Sequence, residues 1–169
     1  MSRKLAIVAI AATVAALGGA ALGWHGLASH AQAPSVSYTL LDGTQSGTDR
    51  LRGKVVLVNF WSISCSTCMH EMPQIVSTYE KFKGRGYETV AVAMSYDPPA
   101  FVATYAATRK LPFSVAVDNT GAVARSFGNV QLTPTSILIN KRGEIVKRYV
   151  GEPDFTALQQ LIERLLAEA

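Results

Sequence analysis

The chain has two cysteines, Cys65 and Cys68, inside SCSTCMHEMP (residues 64–73). A bridge between thiols three positions apart closes so short a loop that it restrains the unfolded chain little, so stability is a poor reason for keeping the pair. Position gives a better reason. KVVLVNFW (Lys54–Trp61) is apolar on both faces and reads as a buried strand, and a helical period begins at Cys65. At such a corner the first cysteine caps the helix. Unpaired N–H groups and the positive end of the dipole then favour its thiolate. Cys68, one turn further in, lies deeper and keeps its proton longer. That asymmetry suits dithiol exchange: Cys65 attacks a disulfide, a mixed disulfide forms, and Cys68 attacks Cys65 to release the product. The second step needs an acceptor for the Cys68 proton. Glu71 follows at i+3 near the same face and can take it directly or through a water. The competing reading leaves Glu71 an exposed first-turn carboxylate favoured by the dipole.

Other chemistries fit less well. A c-type haem attachment needs histidine directly after the second cysteine; Met69 stands there and His70 comes one position late. Zinc would want four ligands, and there is no second cysteine pair. Cu(I) suits soft sulfur, so a copper-binding or copper-delivery role for Cys65 and Cys68, with Met69 or His70, is an alternative function. A peroxiredoxin-like thiol peroxidase is another: Ser62 fits the hydroxyl residue those proteins place three before the reactive cysteine, but Val58 stands where they place proline. His70 is expected on the solvated helix face and Met69 in the core. No metal and no organic cofactor are expected, the redox-active Cys65–Cys68 disulfide being the reacting group.

The elements that must hold this pair follow from periodicity. Ser35–Leu41 reads as a short strand ending in Asp42-Gly43. The helix from Cys65 to about Lys83 has Met69, Met72, Ile75, Val76, Tyr79 and Phe82 on one face, Pro73 as a kink, and Gly84 and Gly86 as its stop. Thr89–Met94 is a second buried strand. Asp97 is expected to cap a helix running to about Lys110 that buries Phe101, Val102, Tyr105 and Ala106. Phe113–Val117 is a strand, followed by a short helix to Phe127. Thr135–Asn140 and Glu144–Val150 form a hairpin, and Phe155–Ala167 is a last amphipathic helix. Strands separated by helices pair in parallel through crossovers, and the hairpin adds antiparallel edges. The expected class is α/β: a mixed sheet covered by helices on both faces.

Residues 1–24 are a separate segment. Arg3 and Lys4 precede Leu5–Leu22, which carries no charge, and the next charged residue is Asp42. Eighteen helical residues span about 27 Å, close to a hydrocarbon core of about 30 Å. The segment reads as a transmembrane anchor with a cytoplasmic N-terminus, or as a signal peptide cut at Ala31-Gln32-Ala33. Either exports the domain expected over 35–169, through a linker over 25–34. The net charge of +4 falls to +2 without Arg3 and Lys4, leaving 14 basic against 12 acidic residues. With no basic run, nucleic acid is excluded as the natural partner.

NFWSISCSTCMHEMP, followed much later by LTPTSILINKRGEIV, resembles the TlpA/ResA-type thioredoxin-like proteins, membrane-anchored thiol–disulfide oxidoreductases of the bacterial periplasm or outer cell face. The resemblance covers about Ser35–Ala169 and implies a thioredoxin-like fold. It implies that Cys65 is the exposed nucleophile, Cys68 the resolving cysteine, Glu71 the carboxylate beside the pair, and Pro73 the kink proline. It implies that Pro134 is a cis proline facing the cysteines, leaving the Thr133 backbone free to pair with an extended substrate. Asn59 occupies the position where cytoplasmic thioredoxins carry aspartate, and an amide cannot take a proton. Ser64 replaces the tryptophan common before the first cysteine. Ser66 and Thr67, between the cysteines, join the expected substrate face, and their hydroxyls could donate to the Cys65 sulfur. The partners implied are exported, disulfide-carrying clients, the membrane through the N-terminal helix, and an unidentified electron donor. A reductant role, with cytochrome c maturation among the candidate pathways, is the implied direction.

Overall fold

A computed structural model describes residues 30–168. Its centre is β3 (Val55–Trp61), whose seven residues are all buried, as a strand apolar on both faces requires. The five-stranded sheet runs β5-β4-β3-β6-β7. β4 (Tyr87–Ala93) and β5 (Ser114–Val117) extend it in parallel; β6 (Thr135–Ile139) and β7 (Ile145–Val150) are antiparallel. The helices are α1 (Ser66–Phe82), α2 (Pro99–Thr108), α3 (Ala122–Ser126) and α4 (Phe155–Ala167). Alternation along β3 divides the core. Val56, Val58 and Phe60 pack with Val123, Ala124 and Phe127 around α3. Trp61 packs with Met72 and Ile75 of α1 and Val102 of α2, while Val55 and Leu57 meet Leu158 and Ile162 of α4. Helices thus cover both faces, as expected.

Several expectations are corrected. The first strand shrinks to β1 (Ser37–Thr39) and pairs with β2 (Gln45–Gly47), whose sequence QSG carries no apolar pattern. The turn between them rests on Gly43 at φ +83° and on the Asp42 carboxylate, which accepts from the Thr44 N–H at 2.8 Å. Residues 31–33, read as the end of the linker, join the start of β7. Ala33 N–H donates to the Gly143 carbonyl and Ile145 N–H to that of Ala31, both at 2.8 Å. The compact body begins at Ala31. Asp97 does not cap α2 with its side chain; Pro98 occupies the cap and Pro99 the first turn. Phe101, expected inside, is 62% exposed, and only Val102 of α2 is buried. The expected anchor or signal over 1–24 and the linker up to residue 29 lie outside the described residues. Among the described residues no helix is long and apolar enough to cross a membrane.

Candidate redox site

β3 delivers the chain to the corner where chemistry is possible. Cys65 sits at the N-cap of α1 in extended conformation, and its sulfur accepts the Cys68 N–H at 3.1 Å. The two are joined as a disulfide with Cα atoms 5.2 Å apart. Cys65 is half-buried, Cys68 wholly buried. In this disulfide form the hydrogen bond reaching the Cys65 sulfur comes from the Cys68 backbone, and Ser66 and Thr67 are exposed. His70 lies on the solvated face as expected, whereas Met69 is half-buried rather than core. α1 continues through Pro73, which has no N–H to offer the Met69 carbonyl.

Glu71, one turn beyond Cys68, is 0% exposed, which overturns the reading of it as a solvated first-turn carboxylate. Asn59, facing α1 from the middle of β3, donates its amide N–H to Glu71 Oε1 at 3.0 Å and to Ser136 Oγ of β6 at 2.9 Å. Glu71 Oε2 and Asn59 Oδ1 are buried without a hydrogen-bond partner. Burial pushes the Glu71 carboxyl up to about 7. The Asn59 hydrogen bond partly opposes this, and the Glu152 charge adds slightly to it. The carboxyl therefore exchanges its proton near neutrality.

The cis proline is where the resemblance implies. Thr133–Pro134 is the cis bond in the described chain. β6 pairs with β3 so that Thr135 faces Phe60, which carries Pro134 to the end of β3 that leads into Cys65. Pro134 is buried and Thr133 half-buried. Among the described residues neither the N–H nor the carbonyl of Thr133 enters a backbone hydrogen bond.

Sequence reasoning missed Asp97. This buried carboxylate, on the loop after β4, accepts the Ser62 hydroxyl at 2.8 Å and the Ile63 N–H at 2.9 Å. Ser62 Oγ lies 2.9 Å from Ser64 Oγ. The three residues before Cys65 are thereby fastened to the neighbouring strand's loop. Ser62, weighed as a peroxidase-type residue, has its hydroxyl committed there. The signal available was an aspartate in the short loop after a buried strand and directly before Pro98-Pro99, where an ordinary cap looked sufficient. Among the described residues no group of three or more His, Cys, Asp and Glu side chains could hold a metal ion.

A strand-to-helix corner with this dithiol pair, faced by a cis proline across a mixed sheet, is the arrangement of thioredoxin-like disulfide-exchange proteins. The redoxin family model matches residues 28–162, and the chain belongs to that family. It is 31% identical to the thiol-disulfide oxidoreductase ResA of Bacillus thuringiensis subsp. konkukian, over 79% of this chain and 76% of the relative. Against ResA of Halalkalibacterium halodurans the identity is 33%, over 76% and 72%. Among solved structures, a Neisseria meningitidis protein described as a thioredoxin superposes with a TM-score of 0.76 at 42% identity, covering 82% of this chain and 93% of that one. A Chlorobium tepidum protein described as thiol:disulfide interchange protein DsbE gives 0.75 at 28%, covering 84% and 100%. The chain is a thiol–disulfide oxidoreductase of ResA type, with Cys65 and Cys68 as its Cys-x-x-Cys pair.

Proposed function

We propose that this protein reduces disulfides in exported client proteins, working from the periplasmic face of the bacterial inner membrane and held there by its N-terminal segment. If that segment is cut, the same domain works free in the periplasm. The observation that carries the reading is the unequal setting of the two sulfurs: Cys65 half-buried at a helix N-terminus, Cys68 enclosed one turn away, with the buried Glu71 carboxyl three residues further along the same helix.

In the reduced protein, Cys65 thiolate attacks one sulfur of the client disulfide. That S–S bond breaks, and the departing client sulfur takes a proton. Cys68 gives its proton to Glu71, and its thiolate attacks the Cys65 sulfur. The mixed disulfide breaks, the second client sulfur leaves as a thiolate that takes a proton from solvent, and the client has gained two electrons. The protein is left as the Cys65–Cys68 disulfide, with Glu71 holding a proton up to about pH 7. The client strand lies along the unpaired Thr133 backbone next to Pro134, with Ser66 and Thr67 on the same face. No cofactor beyond the dithiol is used, and an electron donor restores it. The ResA relatives, named thiol-disulfide oxidoreductases, support disulfide exchange, and the reducing direction is the one the family resemblance implies.

The test is to trap the intermediate and measure the couple. Cys68→Ser should accumulate a mixed disulfide through Cys65, and the Cys65/Cys68 reduction potential should lie far below those of periplasmic oxidants. A potential near those oxidants would make the protein an electron acceptor instead.

A further inference from the structure

α2 breaks the rule for surface helices. From Pro98 through Thr108 it carries no charged residue, yet of its side chains only Val102 is buried. A helix apolar all round is normally enclosed. Two adjoining clefts of about 420 and 320 Å³ lie along it and share Tyr105 and Arg109 as walls. The first is also lined by Ile63 and Phe101, the second by Met69 and Pro73. Ile63 stands two residues before Cys65 and Met69 directly after Cys68, so the groove opens beside the disulfide. Its one charge is Arg109, whose guanidinium lies 5.8 Å from the Tyr105 ring centre.

We infer that this groove seats the stretch of client chain flanking the client's reacting cysteine. The stretch is apolar where it meets Phe101 and Tyr105 and acidic where it reaches Arg109. This rests on the disulfide-reducing role proposed above and adds a specificity surface to it. Continuity decides the occupant: a segment in the groove is held next to Cys65 only if it belongs to the molecule being reduced. Charge sets the polarity. Phe101 to Arg109 covers eight helical steps, about 12 Å, which an extended chain spans in about four residues. The acidic residue therefore falls about four positions from the apolar anchor. Phe101, an exposed aromatic on an uncharged helix, is the anchor contact.

The experiment uses the reduced, full-length protein and a synthetic peptide whose single cysteine is blocked with glutathione, followed by two leucines and, four positions after the first of them, a glutamate. Controls replace the leucines with serines or the glutamate with lysine; oxidised glutathione is the substrate without a flank. Phe101→Ser should raise KM for the leucine–glutamate peptide roughly tenfold or more and leave the rate with oxidised glutathione unchanged. Arg109→Glu should reverse the preference between the glutamate and lysine peptides. An unchanged KM in Phe101→Ser, or an equal loss on both substrates, overturns the assignment. So does a Phe101-dependent binding to phosphatidylglycerol vesicles or a Phe101-dependent dimer, either of which gives the face to lipid or to a second copy. If the unmodified protein exchanges with neither substrate, the reducing role itself falls, and the groove's assignment with it.

Discussion

At the scale of single residues, the site is a buried acid held by an amide. Glu71 keeps its proton to about pH 7 in the fold, whereas an unfolded carboxyl releases it near 4.5. Between those values the folded chain binds more protons than the unfolded chain, so stability is full below about pH 4.5 and declines as pH rises towards 7. The loss amounts to about 3 kcal/mol at most. Denaturant unfolding of the disulfide form at pH 5 and pH 8 should show it, and Glu71→Gln should flatten it while slowing release of the mixed disulfide. Asn59 acts in the opposite sense, because its N–H stabilises the carboxylate. Asn59→Leu should move the limb of the release-rate profile that follows Glu71 to higher pH, by about one unit. A profile that stays in place would assign Asn59 a purely structural part.

At the scale of elements, the positioning of Cys65 depends on a contact between loops. Asp97 receives two donors from the segment that precedes the cysteine, so removing it leaves the part-buried Ile63 N–H without its acceptor and the buried Ser62 hydroxyl with Ser64 Oγ alone. Asp97→Ala should cost about 1–3 kcal/mol in denaturant unfolding and shift the reduction potential, since the helix start that favours thiolate loses its brace. An unchanged potential would restrict Asp97 to stability. The elements also show what the sequence makes legible. β3, α1 and α4 were readable because each buries a regular apolar stripe, and α4 matches its expected range from Phe155 to Ala167. β2 was not, because QSG pairs through its backbone and presents no pattern. Phe101 was misplaced because an aromatic at helical spacing ordinarily marks a core face, and here it faces out. Asp97 and Asn59 escaped periodicity altogether: their partners lie 34 and 77 residues away in Ile63 and Ser136. The dithiol, Glu71 and Pro134 were legible because short spacing and motif carry them.

At the scale of the whole domain, the described body has two ends with different tasks. The cysteines, the cis proline and the end of β3 occupy one. At the other, the hairpin turn between β6 and β7 receives residues 31–33 as an added piece of edge. That added piece covers backbone groups at the start of β7 that would otherwise template unwanted pairing. A chain beginning at Ser35 should therefore unfold at lower temperature and aggregate more readily than one beginning at residue 30, with the same exchange rate per folded molecule. Calorimetry and light scattering on the two chains decide this.

Residue 31 enters the fold at the pole opposite the cysteines. β3 alone spreads the two poles by roughly 20 Å at about 3.3 Å per residue. A cargo disulfide can thus approach the sulfurs from the far end without passing the edge where residues 31–33 join β7.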